Sequence, residues 1–293
     1  MEAHGYQGRG MAARNEILVG IDGSSQATNA VLWAADEAAR HGAVLRIITA
    51  HAPWYDLQSA PTQLKDAEER ECRANLQAAE QAALHRQPDL AVRTELRSGE
   101  AAEVLGEQSG DARAVITGTR GRGGFPGLML GSTTLALMGH ARAPVIIVPG
   151  APPPAGRGVV VGVDGSEASR LALGYAFEQA RLRRVALTAL WVIREPSWYG
   201  APGADSQWLA TAAETTEEQL VAELTPWRRE FADVDVTETV VWGHPVAMLR
   251  QAGEDSGLLV VGNRGRSIAR SVLLGSVSHG VLHHAPCPVA IVR

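Results

Sequence analysis

The sequence predicts an α/β protein made of two copies of one domain, each with a parallel β-sheet between layers of helices. Three observations predict this fold. Apolar runs of strand length alternate with segments of helical periodicity, which is typical of parallel sheets because each crossover needs room for a helix. The same motifs occur twice within the 293 residues. A segment rich in proline and glycine separates the two copies.

The first half alternates strands and helices along its whole length. A short apolar run comes first, and an alanine-rich segment follows it with apolar residues three and four positions apart. A long, charged, amphipathic stretch predicts the second helix. The predicted strands are 17–21, 44–50, 91–96, 114–117 and 145–148, and the predicted helices are 27–41, 62–86, 101–108 and 131–140. The second half follows the same order and ends with predicted strands at 258–261 and 289–292.

The repeat defines the domains. The motif ILVGIDGS at 17–24 returns 142 positions later as VVVGVDGS. The motif GTRG at 118–121 returns 144 positions later as GNRG, and the Gly-Ser pair at 131–132 returns at the same later offset. We therefore predict domains at 15–149 and 158–293, a linker at 150–157 and a flexible arm at 1–14.

Composition excludes several classes of function. A net charge of -5 gives no positive excess for a phosphate backbone, and no apolar run is long enough to cross a bilayer. The first residues lack the apolar stretch of a signal peptide, so we expect a cytoplasmic protein with no nucleic-acid or membrane partner. The single lysine, Lys65, lies in a charged helical stretch, which excludes a P-loop and Schiff-base chemistry. Cys72 and Cys287 lack the spacing of a disulfide framework or a zinc site.

Two features of each half fall at the carboxyl ends of predicted strands, where open parallel sheets bind ligands. An aspartate, Asp22 or Asp164, ends the first strand, and a loop with the spacing G-x2-G-x9-G-[ST] follows the fourth. Glycine in the loop allows positive φ and close approach of backbone amides to a ribose or a phosphate. The Gly-Ser pair opens the last helix, whose unpaired N–H groups favour an anion. The pattern predicts a nucleotide site that uses no lysine.

These motifs resemble those of the universal stress proteins of the ATP-binding type, here with two domains in tandem. The resemblance covers residues 15–149 and 157–293 and includes a Pro-Val-x-Ile-Val element in both halves. It implies a five-stranded parallel sandwich of order 3-2-1-4-5, similar to the adenine-nucleotide alpha-hydrolases, in each half. It also implies ATP as the ligand. The sequence offers no carboxylate cluster for Mg²⁺, so any metal would depend mainly on the nucleotide.

The resemblance also implies which residues bind the nucleotide. The family's aspartate falls at Asp22 and Asp164, and the backbone group beside adenine falls near Ala50 and Val192. Val277 replaces the hydroxyl of Thr133, which removes one phosphate donor and favours the first site. The implied contacts of the first half are Gly20, Ile21, Asp22, Ala50, Gly118, Arg120, Gly121, Arg122, Gly131, Ser132 and Thr133. Those of the second half are Gly162, Val163, Asp164, Val192, Gly262, Arg264, Gly265, Arg266, Gly275, Ser276 and Val277.

Each of these features has a structural alternative. The aspartates can cap the Asp-Gly-Ser turn, and the glycines can serve tight packing alone. The four loop arginines can contact the triphosphate or stay solvated. His279 and His283 have the i, i+4 spacing of a zinc pair but lack the H-E-x-x-H pattern, which favours a helix surface. The tryptophans near the second strands can line the crevice or pack elsewhere; they are Trp54, Trp191, Trp198 and Trp208.

We predict a nucleotide-dependent regulator of a stress or dormancy response, and not an efficient enzyme, because no residue pattern supplies a base for water attack. One alternative is a slow ATPase or an adenylate-transferring enzyme on the same fold. Another is a nucleotide-free interaction scaffold. The resemblance implies that strands 145–148 and 289–292 pair within the chain, and an apolar strand edge agrees with such pairing. Whether two chains form a homodimer stays open.

Overall fold

The computed structural model describes residues 15–51, 62–121, 130–195, 206–265 and 274–293. The predicted arm at 1–14 lies outside the described residues. The chain divides between Pro152 and Pro153 into two compact units, and each unit is described by itself. The limits predicted for the arm and the linker stay predictions.

The first unit is a parallel sheet covered by helices. Its strands are β1 (Glu16–Ile21), β2 (Val44–His51), β3 (Val92–Ser98), β4 (Ala114–Gly118) and β5 (Val145–Val148). Its helices are α1 (Ser25–His41), α2 (Thr62–Arg86), α3 (Ala101–Gln108) and α4 (Ser132–His140), with a 3₁₀ turn at Ser109–Asp111. The strands lie in the order β3-β2-β1-β4-β5, and every pair between neighbours is parallel. The predicted fold class and the elements of this half are confirmed, with ends that shift by no more than two residues.

The second unit repeats this topology. Its strands are β6 (Val159–Val163), β7 (Leu187–Ile193), β8 (Val236–Trp242), β9 (Leu258–Gly262) and β10 (Val289–Val292). Its helices are α5 (Glu167–Arg183), α6 (Ser206–Glu230), α7 (Pro245–Gly253) and α8 (Ser276–His284). The parallel order is β8-β7-β6-β9-β10.

The first helix of each unit starts and stops through local signals. In α1 the hydroxyl of Ser24 accepts a hydrogen bond from the N–H of Ala27 at 3.1 Å. The helix ends at His41, and the next residue, Gly42, has a φ of 57°, in the left-handed region that closes a helix. In α5 Ser166 caps in the same way, but the closing residue is Arg184, with a φ of 55°. A non-glycine residue there carries steric cost.

The core of each unit consists of the central strands and the helix faces against them. Residues Ile17–Val19 of β1 and Val115–Ile116 of β4 are fully buried, because helices cover both faces of the sheet. Arg46 of β2 is a charged exception, only 9% exposed. Its guanidinium donates to Glu16 at 2.9 Å, to Glu95 at 3.0 Å and to Gln108 at 2.9 Å. These partners compensate its charge where burial would otherwise be costly.

Candidate functional site

A cavity of about 540 Å³ lies at the carboxyl edge of the first sheet, where the ends of β1 and β4 are neighbours. Its lining brings together all the residues predicted for the first-half site except Arg122, which lies outside the described residues. They are Gly20, Ile21, Asp22, Ala50, Gly118, Arg120, Gly121, Gly131, Ser132 and Thr133. A volume of this size is in the range of small-molecule sites.

The second unit has an equivalent cavity of about 370 Å³. Its lining includes Gly162, Val163, Asp164, Val192, Gly262, Arg264, Gly265, Gly275, Ser276 and Val277. Arg266 lies outside the described residues. The buried ring of Trp191 also lines this cavity, whereas Thr49 holds the same position in the first sheet. Thr49 is buried and is not part of the first lining, so the aromatic ring is a feature of the second cavity that its counterpart lacks.

The two aspartates cap the turn and also face the glycine loop. Oδ1 of Asp22 accepts a hydrogen bond from the N–H of Ser24 at 3.0 Å, and Asp164 does the same with Ser166 at 3.0 Å. Oδ2 of Asp22 lies where a Cβ atom on Gly121 would overlap it. A Cβ on Gly265 would lie 2.6 Å from Oδ2 of Asp164. The capping alternative therefore holds for one carboxylate oxygen, while the other borders the loop of the cavity.

The structure explains the loop glycines by close packing, which the sequence offered as the alternative, and not by positive φ. The expectation that Gly118, Gly121, Gly262 and Gly265 serve positive φ is wrong, because none of these four described residues has a φ in the left-handed region. A Cβ on Gly118 would lie 3.0 Å from the backbone of Gln26, and one on Gly262 would lie 2.8 Å from Ala168. These glycines are needed because the first helix and the aspartate pack against them.

The positive φ angles lie instead in the Asp-Gly-Ser turns. Gly23 has a φ of 81° and Gly165 a φ of 75°. Because that region favours glycine, each turn can bring its aspartate back over the loop.

The last helix of each unit begins at the cavity. Gly131 precedes α4 and Gly275 precedes α8, and neither helix has a side-chain cap at its N-terminus. The hydroxyl of Thr134 donates to the carbonyl of Gly118 at 3.2 Å, and Ser278 donates to Gly262 at 2.6 Å, which holds each helix against the preceding strand. The first-turn N–H groups are left for an anion, as helix N-termini commonly provide.

Two buried polar atoms beside the cavities have no hydrogen-bond partner in the described residues. They are Oγ1 of Thr117 in the first unit and Nε of Arg264 in the second. The equivalent of Thr117 is Val261, so this hydroxyl is a further difference between the two sites. Burial, and after it the charge of Arg264, lowers the pKa of Arg293, so two guanidinium groups lie near each other beside the second loop. An anionic ligand fits these surroundings.

Sequence reasoning missed the apolar part of the first lining. Leu105 of α3 lies under Gly20, where a Cβ atom would come within 2.5 Å of Cδ1 of the leucine. Ala27, Ile48 and Leu130 also line this cavity. The helical spacing of α3 could have placed Leu105 on the buried face, but nothing local in the sequence links it to Gly20.

Three other candidates among the described residues, His279, His283 and Trp208, are not part of either cavity's lining. His279 and His283 have ring nitrogens 3.4 Å apart on α8, and no group of three or more metal-ligating side chains occurs within the described residues. Trp208 is 48% exposed and packs on Trp242, and Trp54 and Trp198 lie outside the described residues. Among the helices that the structure describes, none has the length and apolar character needed to cross a membrane.

The matches to known proteins divide the chain into the same two parts as the structure does. The model of the universal stress protein family matches residues 14–149 and 157–293. The chain belongs to the universal stress protein family. Over 289 residues it is 36% identical to the universal stress protein Rv2623 of Mycobacterium tuberculosis H37Rv, covering 94% of this chain and 96% of that protein. A universal stress protein of Mycolicibacterium smegmatis is also 36% identical, over 290 residues, with the same coverage.

Solved structures of universal stress proteins share the fold. One from Archaeoglobus fulgidus DSM 4304 matches with a TM-score of 0.69 at 17% identity, covering 95% of this chain and 96% of that chain. A protein from Pseudomonas aeruginosa UCBPP-PA14, described as a putative universal stress protein, matches with a TM-score of 0.60 at 15% identity, covering 96% and 93%. The expected tandem organisation of universal stress domains is confirmed.

Proposed function

We propose that this universal stress protein binds ATP in the two cavities and acts as a nucleotide-dependent regulator in a stress or dormancy response. The observation that carries the proposal is the repeated site itself. In each unit a carboxylate, a glycine loop and a helix N-terminus without a side-chain cap line one cavity of nucleotide size. A cavity with this lining suits a ligand with a polar sugar and a chain of anionic phosphates.

In the first unit the residues divide by chemistry. The apolar groups of Ile21, Ile48 and Ala50 suit the base, and the carboxylate of Asp22 suits ribose hydroxyls. The N-terminal turn of α4 suits phosphates through its backbone N–H groups and the hydroxyls of Ser132 and Thr133. Arg120 and Arg264 also line the cavities, where a guanidinium can pair with phosphate oxygens. Any Mg²⁺ would enter with the nucleotide.

The two sites differ in a way that predicts their order of affinity. Thr133 of the first site is replaced by Val277 in the second, which removes one hydroxyl from the first turn of the last helix. A hydroxyl that donates to a phosphate oxygen contributes about 1.5–3 kcal/mol, which corresponds to at least about tenfold in affinity. We therefore propose that the first site binds ATP more tightly.

The reciprocal variants Thr133→Val and Val277→Thr test this proposal. Both exchanges nearly conserve side-chain volume, so neither should change the fold. Circular dichroism of each variant checks this. Calorimetric titration with ATP should show about a tenfold loss at the tight site of Thr133→Val and a gain at the weak site of Val277→Thr. Wild-type chain that takes up no ATP at all would contradict nucleotide binding and leave the scaffold alternative.

A regulatory role, and not turnover, fits the chemistry of the site. One oxygen of Asp22 already accepts from Ser24, so this carboxylate is committed to a structural hydrogen bond. The ATPase alternative predicts release of phosphate that Gly121→Ala abolishes, whereas the binding proposal predicts that bound ATP persists unchanged for hours.

The remaining expectations stay predictions. Pairing of β5 with β10 within the chain, a homodimer, and a cytoplasmic location all rest on the sequence. Size-exclusion chromatography with light scattering tests the homodimer, since a single chain has a mass of 31.0 kDa.

A further inference from the structure

The second unit contains another cavity that its nucleotide site does not explain. This groove has a volume of about 560 Å³ and lies between α7 and α8. Its lining residues are Arg194, His244, Val246, Ala247, Arg250, Ser276, Val277, Gly280 and His284. The two helices meet closely beneath it, because a Cβ on Gly280 would lie 2.6 Å from Val246.

The groove is basic. Arg194 follows β7, His244 precedes α7, Arg250 lies in the last turn of α7, and His284 ends α8. The described lining contains no carboxylate. Arg250 has one acidic contact, to Glu254 at 2.9 Å, and both side chains are about half exposed. Such an exposed pair contributes at most about 1 kcal/mol, so it leaves the guanidinium available to a stronger anion.

Two helix N-termini reach the same groove. His244 is the N-cap residue of α7 and makes no side-chain cap, and Val246 and Ala247 of the first turn line the groove. Ser276 and Val277 belong to the first turn of α8, which also lacks a side-chain cap. The positive ends of both helix dipoles therefore lie at one end of the groove, while Arg250 and His284 lie in the last turns of the same helices at the other end.

The first unit does not repeat this arrangement. By the strand and helix register, Glu100 stands in the place of His244, and Gly106 in the place of Arg250. The acidic Glu103 also lies in the first turn of α3. Repetition of the domain alone thus does not account for the basic groove.

We propose that this groove of the second unit binds a phosphoryl group, as free phosphate or diphosphate or as part of the phosphate chain of a nucleotide. Arginine side chains and helix N-termini are the protein groups that best match phosphate oxygens. The groove shares Arg194, Ser276 and Val277 with the neighbouring cavity, so a phosphate chain can extend from one space into the other. The anion site itself does not depend on ATP in that cavity.

Titration of the full chain with inorganic pyrophosphate, without nucleotide, tests the groove. The variant is Arg250→Gln, which removes a guanidinium that lines the groove and not the nucleotide cavity. The matched control is Arg73→Gln, because Arg73 forms the same kind of exposed i, i+4 ion pair, with Glu69 in the first unit. We expect pyrophosphate binding to weaken about tenfold in Arg250→Gln and to stay unchanged in the control. Equal affinity of all three proteins would overturn the proposal.

A second titration distinguishes the two sources of the phosphate. If saturating ATP removes the binding that depends on Arg250, the nucleotide's own phosphates occupy the groove; if that binding persists, the groove takes a separate anion. Both results support the groove. A chain that binds pyrophosphate through Arg250 but takes up no ATP would retain the groove and refute the nucleotide proposal.

Discussion

The contact between Gly121 and the carboxylate of Asp22 makes the substitution Gly121→Ala the most informative test of the site's construction. The new methyl group would overlap Oδ2 of Asp22. The carboxylate would have to move by about 1 Å to regain van der Waals contact. Its other oxygen is fixed by the N–H of Ser24 at 3.0 Å, so this movement breaks or stretches the hydrogen bond that closes the turn.

The expected cost follows from that hydrogen bond. A hydrogen bond to a charged group contributes about 1.5–3 kcal/mol to stability, so Gly121→Ala should lower the free energy of unfolding by about this amount. For a unit of this size each kcal/mol corresponds to about 3 °C in Tm, which gives a loss of about 5–9 °C. The second unit should behave similarly in Gly265→Ala, where the overlap distance is 2.6 Å.

Gly131→Ala is the matched control, because its Cβ would meet nothing closer than 3.5 Å. Because alanine is a poorer N-cap residue than glycine, we expect this control to lose about 0.5–1 kcal/mol, or about 2–3 °C in Tm, which is still less than the loss in Gly121→Ala. Chemical unfolding followed by circular dichroism measures all the variants on one scale.

A double-mutant cycle with Asp22→Ala isolates the cause. If the carboxylate accounts for the cost, Gly121→Ala should cost almost nothing once Asp22 is alanine, and the coupling energy should be about 1.5–3 kcal/mol. Additive losses would show instead that Gly121 is required for a reason unrelated to Asp22.

Three further predictions concern stability and reactivity. Arg46→Leu should destabilise the chain by about 2–4 kcal/mol at pH 7 in urea unfolding, because two partly buried carboxylates lose their cation. Burial raises the pKa of Glu95, but hydrogen bonds from Arg97 and Arg46 outweigh this effect and hold that pKa below its usual value. The stabilisation that the ionised Glu95 provides is therefore lost as the pH falls below about 4.5. Arg46→Leu should lose less stability than the wild type over this acid range. Arg184→Gly should stabilise the second unit by about 0.5–1 kcal/mol, since glycine tolerates the left-handed φ, whereas Arg184→Ala should give no gain. Burial raises the pKa of Cys287 to about 12, so a disulfide reagent at pH 8 should modify one thiol, Cys72, in the folded chain and both after unfolding; fast modification of both in the folded chain would contradict this burial.

Local patterns predicted the fold because they agree with the tertiary structure. Ser24 both follows the first strand and caps α1, and Gly42 both breaks the helical pattern and closes the helix. The apolar run at 145–148 is a strand in the structure because it is short and fully buried. Where each signal acts within a few residues, the sequence alone is enough to predict the helix or strand.

The sequence predicted many of the residues that line each cavity, but not how those residues pack against one another. The recurrence of Asp22 and Gly121 in the second half placed both at one cavity, yet their contact is made between loops about a hundred positions apart. The role of Arg46, which bridges Glu16 and Gln108, is equally non-local. The basic groove was missed because its arginines and histidines come from four separate positions that no motif connects.

The nucleotide that the purified chain carries is the most direct test of ATP binding in the two cavities. Native protein is denatured by heat, the supernatant is separated by ion-exchange chromatography, and nucleotide is counted per chain. We expect ATP or ADP at up to two per chain, and a rise in Tm when ATP is added to chain freed of nucleotide. No nucleotide in the supernatant, together with no change in Tm on adding ATP, would contradict this expectation.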